Sequence, residues 1–198
     1  MEGRPLDEQQ LIAEAKRGRV SAYEELVRRY EEVAFRAAYL TLNDQADAAD
    51  AAQEAFIKAY NALARFKDGS PFRPWLVRIV INEARNARKA AQRRGGLAQR
   101  YAQRLDLGDA APSPQSAALG SEQRRLLREA LGQLRDYEQT VLHLRYFLEL
   151  SEAEMAEAMG CRPGTVKSRL SRALQRLKAV IHQNYPDLAT PVEEGGEG

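Results

Sequence analysis

Apolar residues recur at Tyr23, Leu26, Val27, Tyr30, Val33, Ala34 and Ala37. Steps of three and four paint one stripe along a helix from Ala22 to Leu40. The period returns after "LNDQAD" with Ala52, Ala55, Phe56, Ala59, Tyr60 and Leu63. "KDGSP" then breaks the chain with Gly and Pro. Pro74 suits the first turn of a further helix, which runs to about Gln92 before "RRGG" ends it. Past residue 120, one helix carries Leu127, Ala130, Leu131 and Leu134, and another Val141, Leu142, Leu144 and Leu148. "SEAEMAEAMG" opens with Ser151 and Glu154 in capping-box spacing and closes on Gly160. A final helix spans Pro163 to about Ile181, with Val166, Leu170, Ala173, Leu174 and Leu177 inward. No segment sustains the period-two alternation of a strand. An all-α chain is predicted.

Between these helix groups, residues 95–120 are rich in Ala, Gly, Pro and Ser and lose the helical period, as a flexible linker does. Two small helical domains are therefore expected, at 7–94 and 121–181. The acidic, Gly-rich stretch 182–198 reads as a disordered tail. With 198 residues, each domain is long enough to bury a core.

Charge sharpens this picture. The net charge is only +2, yet Arg73 to Arg104 holds nine Arg/Lys against one acid, Glu83. Ala158 to Lys178 holds six bases and no acid, whereas Asp44 to Glu54 holds four acids and no base. Two basic segments and one acidic one suggest two anionic contacts and a separate protein partner. No apolar run approaches the ~20 residues that span a bilayer, so no membrane insertion is expected. The polar start "MEGRPLDEQQ" has no signal region, and a cytoplasmic protein is expected. One cysteine, Cys161, and two histidines, His143 and His182, cannot assemble a zinc finger. Cys161 reads as a small turn residue, and His143 as a hydrogen-bonded structural histidine. No cofactor, metal or catalytic residue is expected, because no nucleophile–base pair or phosphate loop is present.

"SEAEMAEAMGCRPGTVKSRLSRALQRLK" has the outline of a helix-turn-helix, whose second helix begins near Pro163. Its outward residues are Lys167, Ser168, Arg169, Ser171, Arg172 and Arg176, with Thr165 at its start. Arg and Lys there can donate to guanine edges, while Thr and Ser can bond phosphates. On the helix from Pro74, a wheel puts Trp75, Leu76, Ile79, Val80 and Glu83 on one side, the first four as the anchor. Arg78, Asn82, Arg85, Asn86 and Lys89 form the opposite stripe. Asparagine can pair bidentately with a base edge. By itself the stripe reads equally as a DNA-contacting face or a solvated basic surface.

The order "DAADAAQEAFIKAYNALARFKDGSPFRPWLVRIVINEARNARKAAQRR", a linker, then "LRDYEQTVLHLRYFLELSEAEMAEAMGCRPGTVKSRLSRALQRLK" resembles bacterial sigma factors of the extracytoplasmic function group. The resemblance covers roughly residues 7–94 and 121–181. It implies sigma domain 2, a linker and a helix-turn-helix sigma domain 4, acting as a transcription initiation factor and not as an enzyme. The implied partners are RNA polymerase core, through the β′ clamp coiled coil and the β subunit, and promoter DNA. That DNA would be double-stranded at −35 and single-stranded at −10. An anti-sigma factor is a further implied partner.

Residue by residue, Asp47, Asp50, Gln53, Glu54 and Ile57 would face the polymerase. Ala49 stands where the family usually carries an acid, so one charged contact is missing. Arg78, Asn82, Arg85, Asn86 and Lys89 would read the −10 element. Lys67, Asp68, Gly69 and Ser70 would form the loop that takes a flipped base. Thr165, Lys167, Ser168, Arg169, Ser171, Arg172 and Arg176 would meet the −35 duplex. The competing reading is a stand-alone helix-turn-helix regulator, which would bind a palindromic site without polymerase. A helical adaptor for acidic proteins is a third.

Overall fold

The computed structural model describes residues 7–93 and 121–188. The linker expected over 95–120 and the tail from residue 189 lie outside them. Every regular element among the described residues is helical.

Asp7 caps helix α1 (Glu8–Lys16): its carboxylate accepts from the Gln10 N–H at 2.8 Å, and its own N–H donates to Gln10 Oε1 at 3.0 Å. The Asp-x-x-Gln spacing is the sequence signal for this helix. Three buried residues, Leu11, Ile12 and Ala15, are too few to register as a stripe. Helix α2 (Val20–Leu42) ends on Asn43 in the left-handed region, at φ 53°. Asp44 then caps α3 (Gln45–Ala62) by accepting from the Asp47 N–H at 3.0 Å. A short 3₁₀ turn, Leu63–Arg65, and the loop 67–70 lead into α4 (Phe72–Arg93).

Helices α2, α3 and α4 pack on one another through many alanines, with Ala34, Ala38, Ala48, Ala55, Ala59 and Ala84 fully buried. Small side chains let the helix axes approach closely. Phe66, Phe72 and Trp75 close one end of this core, with ring centroids 4.8–5.8 Å apart. The anchor of α4 differs from the wheel: its buried face is Phe72, Leu76, Val77, Val80, Ile81 and Ala84, while Trp75 and Ile79 are only half-buried. The face is rotated because α4 has a second neighbour, the other helix group, which covers Ile81. Tyr60, also expected inside, is 43% exposed.

The second group comprises α5 (Ser121–Gly132), α6 (Asp136–Leu142), α7 (Glu152–Met159) and α8 (Pro163–Asn184). After Leu142 the chain widens into a π turn, His143–Phe147, in which the Leu148 N–H donates to His143 O at 3.0 Å. A plain α-helix was expected through Leu148. The wider turn brings Leu144, Leu148 and Leu150 into the core together. The capping box on α7 forms as its spacing requires, with the Ser151 N–H donating to Glu154 Oε2 at 2.9 Å.

Gly160 stops α7 at φ 60°, and the Cys161 N–H donates to Ala156 O at 2.9 Å, so the turn leads directly to Pro163 at the start of α8. Helix α8 passes Ile181 and runs to Asn184, which corrects the start of the expected tail. Val180 is buried, Asn184 Nδ2 donates to Gln133 Oε1 at 2.7 Å, and Gln133 Nε2 donates to Tyr185 Oη at 2.8 Å. The inward face of α8 is Val166, Ala173 and Val180, flanked by Leu170 and Leu177. Leu174, expected inward, is 38% exposed.

His143 packs edge-on against Phe147 at 5.4 Å, and no ring hydrogen bond to it is found among the described residues. Burial pushes its imidazole down to about 4 from 6.5. The folded chain therefore keeps this ring neutral where the unfolded chain protonates it. Its contribution to stability is full above pH 6.5 and is lost as pH falls toward 4. Urea midpoints from pH 7 to 4.5 should fall less steeply for His143→Gln than for the unaltered chain.

Candidate nucleic-acid interface

Helix α4 presents Arg78, Asn82, Asn86 and Lys89 to solvent, on the side the wheel gives them. Arg85 departs from that set: it is half-buried, and its guanidinium donates to Thr140 Oγ1 of α6 at 3.2 Å. Burial, together with the positive charges of Arg88 and Arg169, holds this guanidinium below the usual arginine range, against the pull of Asp136. Glu83, the single acid of α4, pairs with Lys58 of α3 at 2.5 Å. Its charge is thereby answered inside the helix group, and the outer stripe stays positive.

The loop 67–70 is held by α1, a helix to which no role was assigned from sequence. Gln9 Oε1 accepts from the Gly69 N–H at 3.1 Å, and Gln9 Nε2 donates to Ser70 O at 3.0 Å. Lys16 Nζ donates to both Phe66 O and Asp68 Oδ1 at 2.5 Å. Glu8 Oε1 accepts from the Phe72 N–H at 3.2 Å. Gly69 sits at φ 77°, where a side chain would strain the backbone. Lys67, Asp68 and Gly69 are exposed and Ser70 is half-buried. The loop is thus shaped before any ligand arrives, which lowers the entropy lost when one binds.

On α8, Lys167, Ser168, Ser171, Arg172 and Arg176 are exposed, whereas Thr165 and Arg169 are half-buried. The Ser168 hydroxyl donates to Thr165 O at 3.0 Å, and Arg172 Nε donates to Ser168 O at 3.1 Å. Lys167 and Arg176 lie off the buried Val166–Ala173–Val180 face and are open to solvent.

All five acidic-helix candidates, Asp47, Asp50, Gln53, Glu54 and Ile57, are exposed on α3. Beside them lies an apolar groove of about 660 Å³ between α2 and α3, lined by Val20, Val27, Phe35, Gln53, Phe56 and Ile57. Val20 and Ile57 stand 58% and 51% exposed. The α2 wall of this groove escaped sequence reasoning. An apolar residue facing a groove has the same helical spacing as one facing the core.

Two family models match the chain: Sigma-70 region 2 over residues 26–94, and Sigma-70, region 4 over residues 124–177. The chain is 37% identical over 180 residues to the RNA polymerase sigma-H factor of Pseudomonas aeruginosa, covering 88% of this chain and 93% of that protein. It is 33% identical to the ECF RNA polymerase sigma-E factor of Escherichia coli K12, covering 87% of this chain and 93% of that one. Among solved structures, CnrH in complex with the cytosolic domain of CnrY is similar at 26% identity and a TM-score of 0.64. That match covers 89% of this chain and 97% of CnrH.

Proposed function

The chain belongs to the extracytoplasmic function group of sigma factors, and we propose that α4 with the loop before it reads and opens the −10 element while α8 reads the −35 duplex. Membership makes it an RNA polymerase-associated initiation factor that directs the enzyme to promoters. A stand-alone regulator is not favoured: both sigma regions occur in order, and the relatives spanning nearly the whole chain are polymerase factors. The division into domains at 7–94 and 121–181, joined by 95–120, follows the same reading.

The observation that carries the assignment of roles is the pairing of an exposed Asn82–Asn86–Lys89 stripe with a loop clamped from behind by Gln9 and Lys16. Asn82 and Asn86 offer donor and acceptor to base edges, Arg78 and Lys89 answer phosphates, and Lys67 to Ser70 receive an extruded base. Melting is driven by binding energy. Extrusion costs about a few kcal/mol, offset because only the opened strand fits the loop. The exposed face Asp47, Asp50, Gln53, Glu54 and Ile57, with the adjoining groove, docks on polymerase core. In this reading the chain performs no covalent chemistry and works in the cytoplasm beside the polymerase. An anti-sigma factor is proposed as a regulator; CnrH, similar in fold and sequence, was solved with the cytosolic domain of CnrY.

The direct test is run-off transcription from a promoter library with purified core polymerase. Specific starts should appear only when the chain is added, and their absence would sink the reading. Within it, Lys167→Ala/Arg172→Ala should weaken binding of holoenzyme to duplex −35 DNA. The slope of log K against log salt should become shallower by about one to two, as phosphate contacts are lost.

A further inference from the structure

Where α4 meets the second helix group, a cleft of about 470 Å³ opens between α4, α6 and α8. Arg85 lines it from α4, Arg169 and Arg172 line it from α8, and no carboxylate is among its described lining residues. Arg85 and Arg169 are half-buried, so water and salt screen their repulsion less than on an open surface. Burial, and then the positive charges of Arg88 and Arg169, hold the Arg85 guanidinium below the usual arginine range. Among the described residues none of these three arginines forms an ion pair, and Asp136, whose charge draws on Arg85, is paired with Arg88. Arg85 donates instead to the uncharged Thr140 hydroxyl, and Arg172 Nε donates to Ser168 O.

Promoter reading accounts for exposed arginines on one open face, as with Arg176. It does not account for arginines of two helices turned toward one cleft. Like charges gathered there are costly unless an anion joins them. Guanidinium forks on facing walls suit phosphate oxygens, which they can hold bidentately. The rest of the cleft is less polar: Ile81 is buried and Met159 lies beside it, while the Tyr137 hydroxyl is engaged with Glu138 Oε1 at 3.1 Å. The volume lies within the range of small-molecule sites, and the mixed lining suits a ligand with one charged and one apolar part.

We propose that this cleft binds a diphosphate-bearing small molecule of the nucleoside diphosphate class, its phosphates spanning Arg85 of α4 and Arg169 and Arg172 of α8. A single phosphate answers only part of the charge of three arginines, whereas a diphosphate matches it and reaches both walls. Arg85 and Arg172 are also proposed promoter contacts, so this ligand and DNA compete for them. That consequence rests on the sigma reading; the binding itself does not.

Isothermal titration calorimetry of the full chain in phosphate-free buffer tests the site with ADP, pyrophosphate and adenosine. ADP and pyrophosphate should each saturate one site, and adenosine should not bind. Tighter binding of ADP than of pyrophosphate makes the nucleoside part of the ligand, seated on Ile81 and Met159. Equal affinities make the diphosphate the whole of what is read. Arg169→Gln should weaken ADP binding by about 10- to 150-fold, as expected for a lost charge-assisted hydrogen bond. Arg176→Gln removes the same charge from an exposed position of α8 outside the cleft, and ADP affinity should not change. Thr140 belongs to none of the proposed DNA or polymerase faces. Thr140→Glu sets a carboxylate beside Arg85 as a built-in anion, so it should lower ADP affinity by at least about tenfold while melting no lower than the unaltered chain.

No saturable binding of ADP or pyrophosphate by the folded chain would overturn the proposal. So would equal weakening in the Arg169 and Arg176 variants, which reduces the signal to loose association of anions with a basic surface. Run-off transcription with core polymerase and no added diphosphate tests the sigma reading by itself. Absence of specific starts there would defeat that reading while leaving the calorimetry standing.

Discussion

Ile57→Glu should weaken binding to polymerase core by about 30- to 150-fold while leaving the fold intact. The side chain is 51% exposed and lines the apolar groove between α2 and α3, so a carboxylate there stays hydrated in the free chain. Docking would remove that hydration. Losing an apolar contact and burying an unpaired charge together amount to about 2–3 kcal/mol, and each 1.4 kcal/mol is about tenfold in affinity. Val20→Glu, on the opposite wall and 58% exposed, should act in the same direction. Anisotropy of the labelled full chain titrated with core polymerase measures this. A contrasting variant, Asp50→Asn, touches only the charged rim and should mainly slow association, with an effect that fades as salt rises. If both groove variants bound core as tightly as the unaltered chain, the docking face would have to lie elsewhere on the first helix group.

How far these surfaces were legible from sequence depends on what each residue answers to. Helix periods, the Ser151 capping box and the Gly160 stop follow from local rules, and they form as their spacing requires. The exposed face of α3 from Asp47 to Ile57 and most of that of α8 likewise follow from the helical wheel, although Tyr60 and Leu174, expected inside, are exposed and Thr165 and Arg169 are half-buried. Helix α4 is different. It leans on two neighbours, so its buried face turned toward Val77 and Ile81, and Arg85 left the outer stripe for Thr140. No local pattern announces a second neighbour some fifty residues away. Helix α1 was missed for a related reason: its Asp7–Gln10 cap is readable, but the work of Gln9 and Lys16 on loop 67–70 is a contact across the fold. The π turn at His143 answers to three leucines that must all reach the core, which a regular period cannot express.

Asn82→Ala and Asn86→Ala should each lower promoter opening by about 5- to 150-fold, the equivalent of about 1–3 kcal/mol for one base-edge pairing. Both positions are exposed on α4 and lie outside the seam with the second helix group. Neither change should alter affinity for core polymerase. Alanine is also the better helix former, by about half a kcal/mol per site, so both variants should melt slightly higher than the unaltered chain. Loss of function with a gain in stability separates a recognition role from a structural one. Permanganate reactivity of thymines in the −10 region, read beside thermal melting of the free protein, gives both halves. A variant that melted lower and opened DNA poorly would point to damaged packing, and one that opened DNA normally would return the stripe to a solvated basic surface. Because the asparagines are neutral, the lost affinity should carry little change in salt dependence, unlike that of Lys167→Ala/Arg172→Ala. The salt slope thus distinguishes side chains that read bases from those that hold phosphates, and an unchanged slope in both asparagine variants is the result expected of base readers.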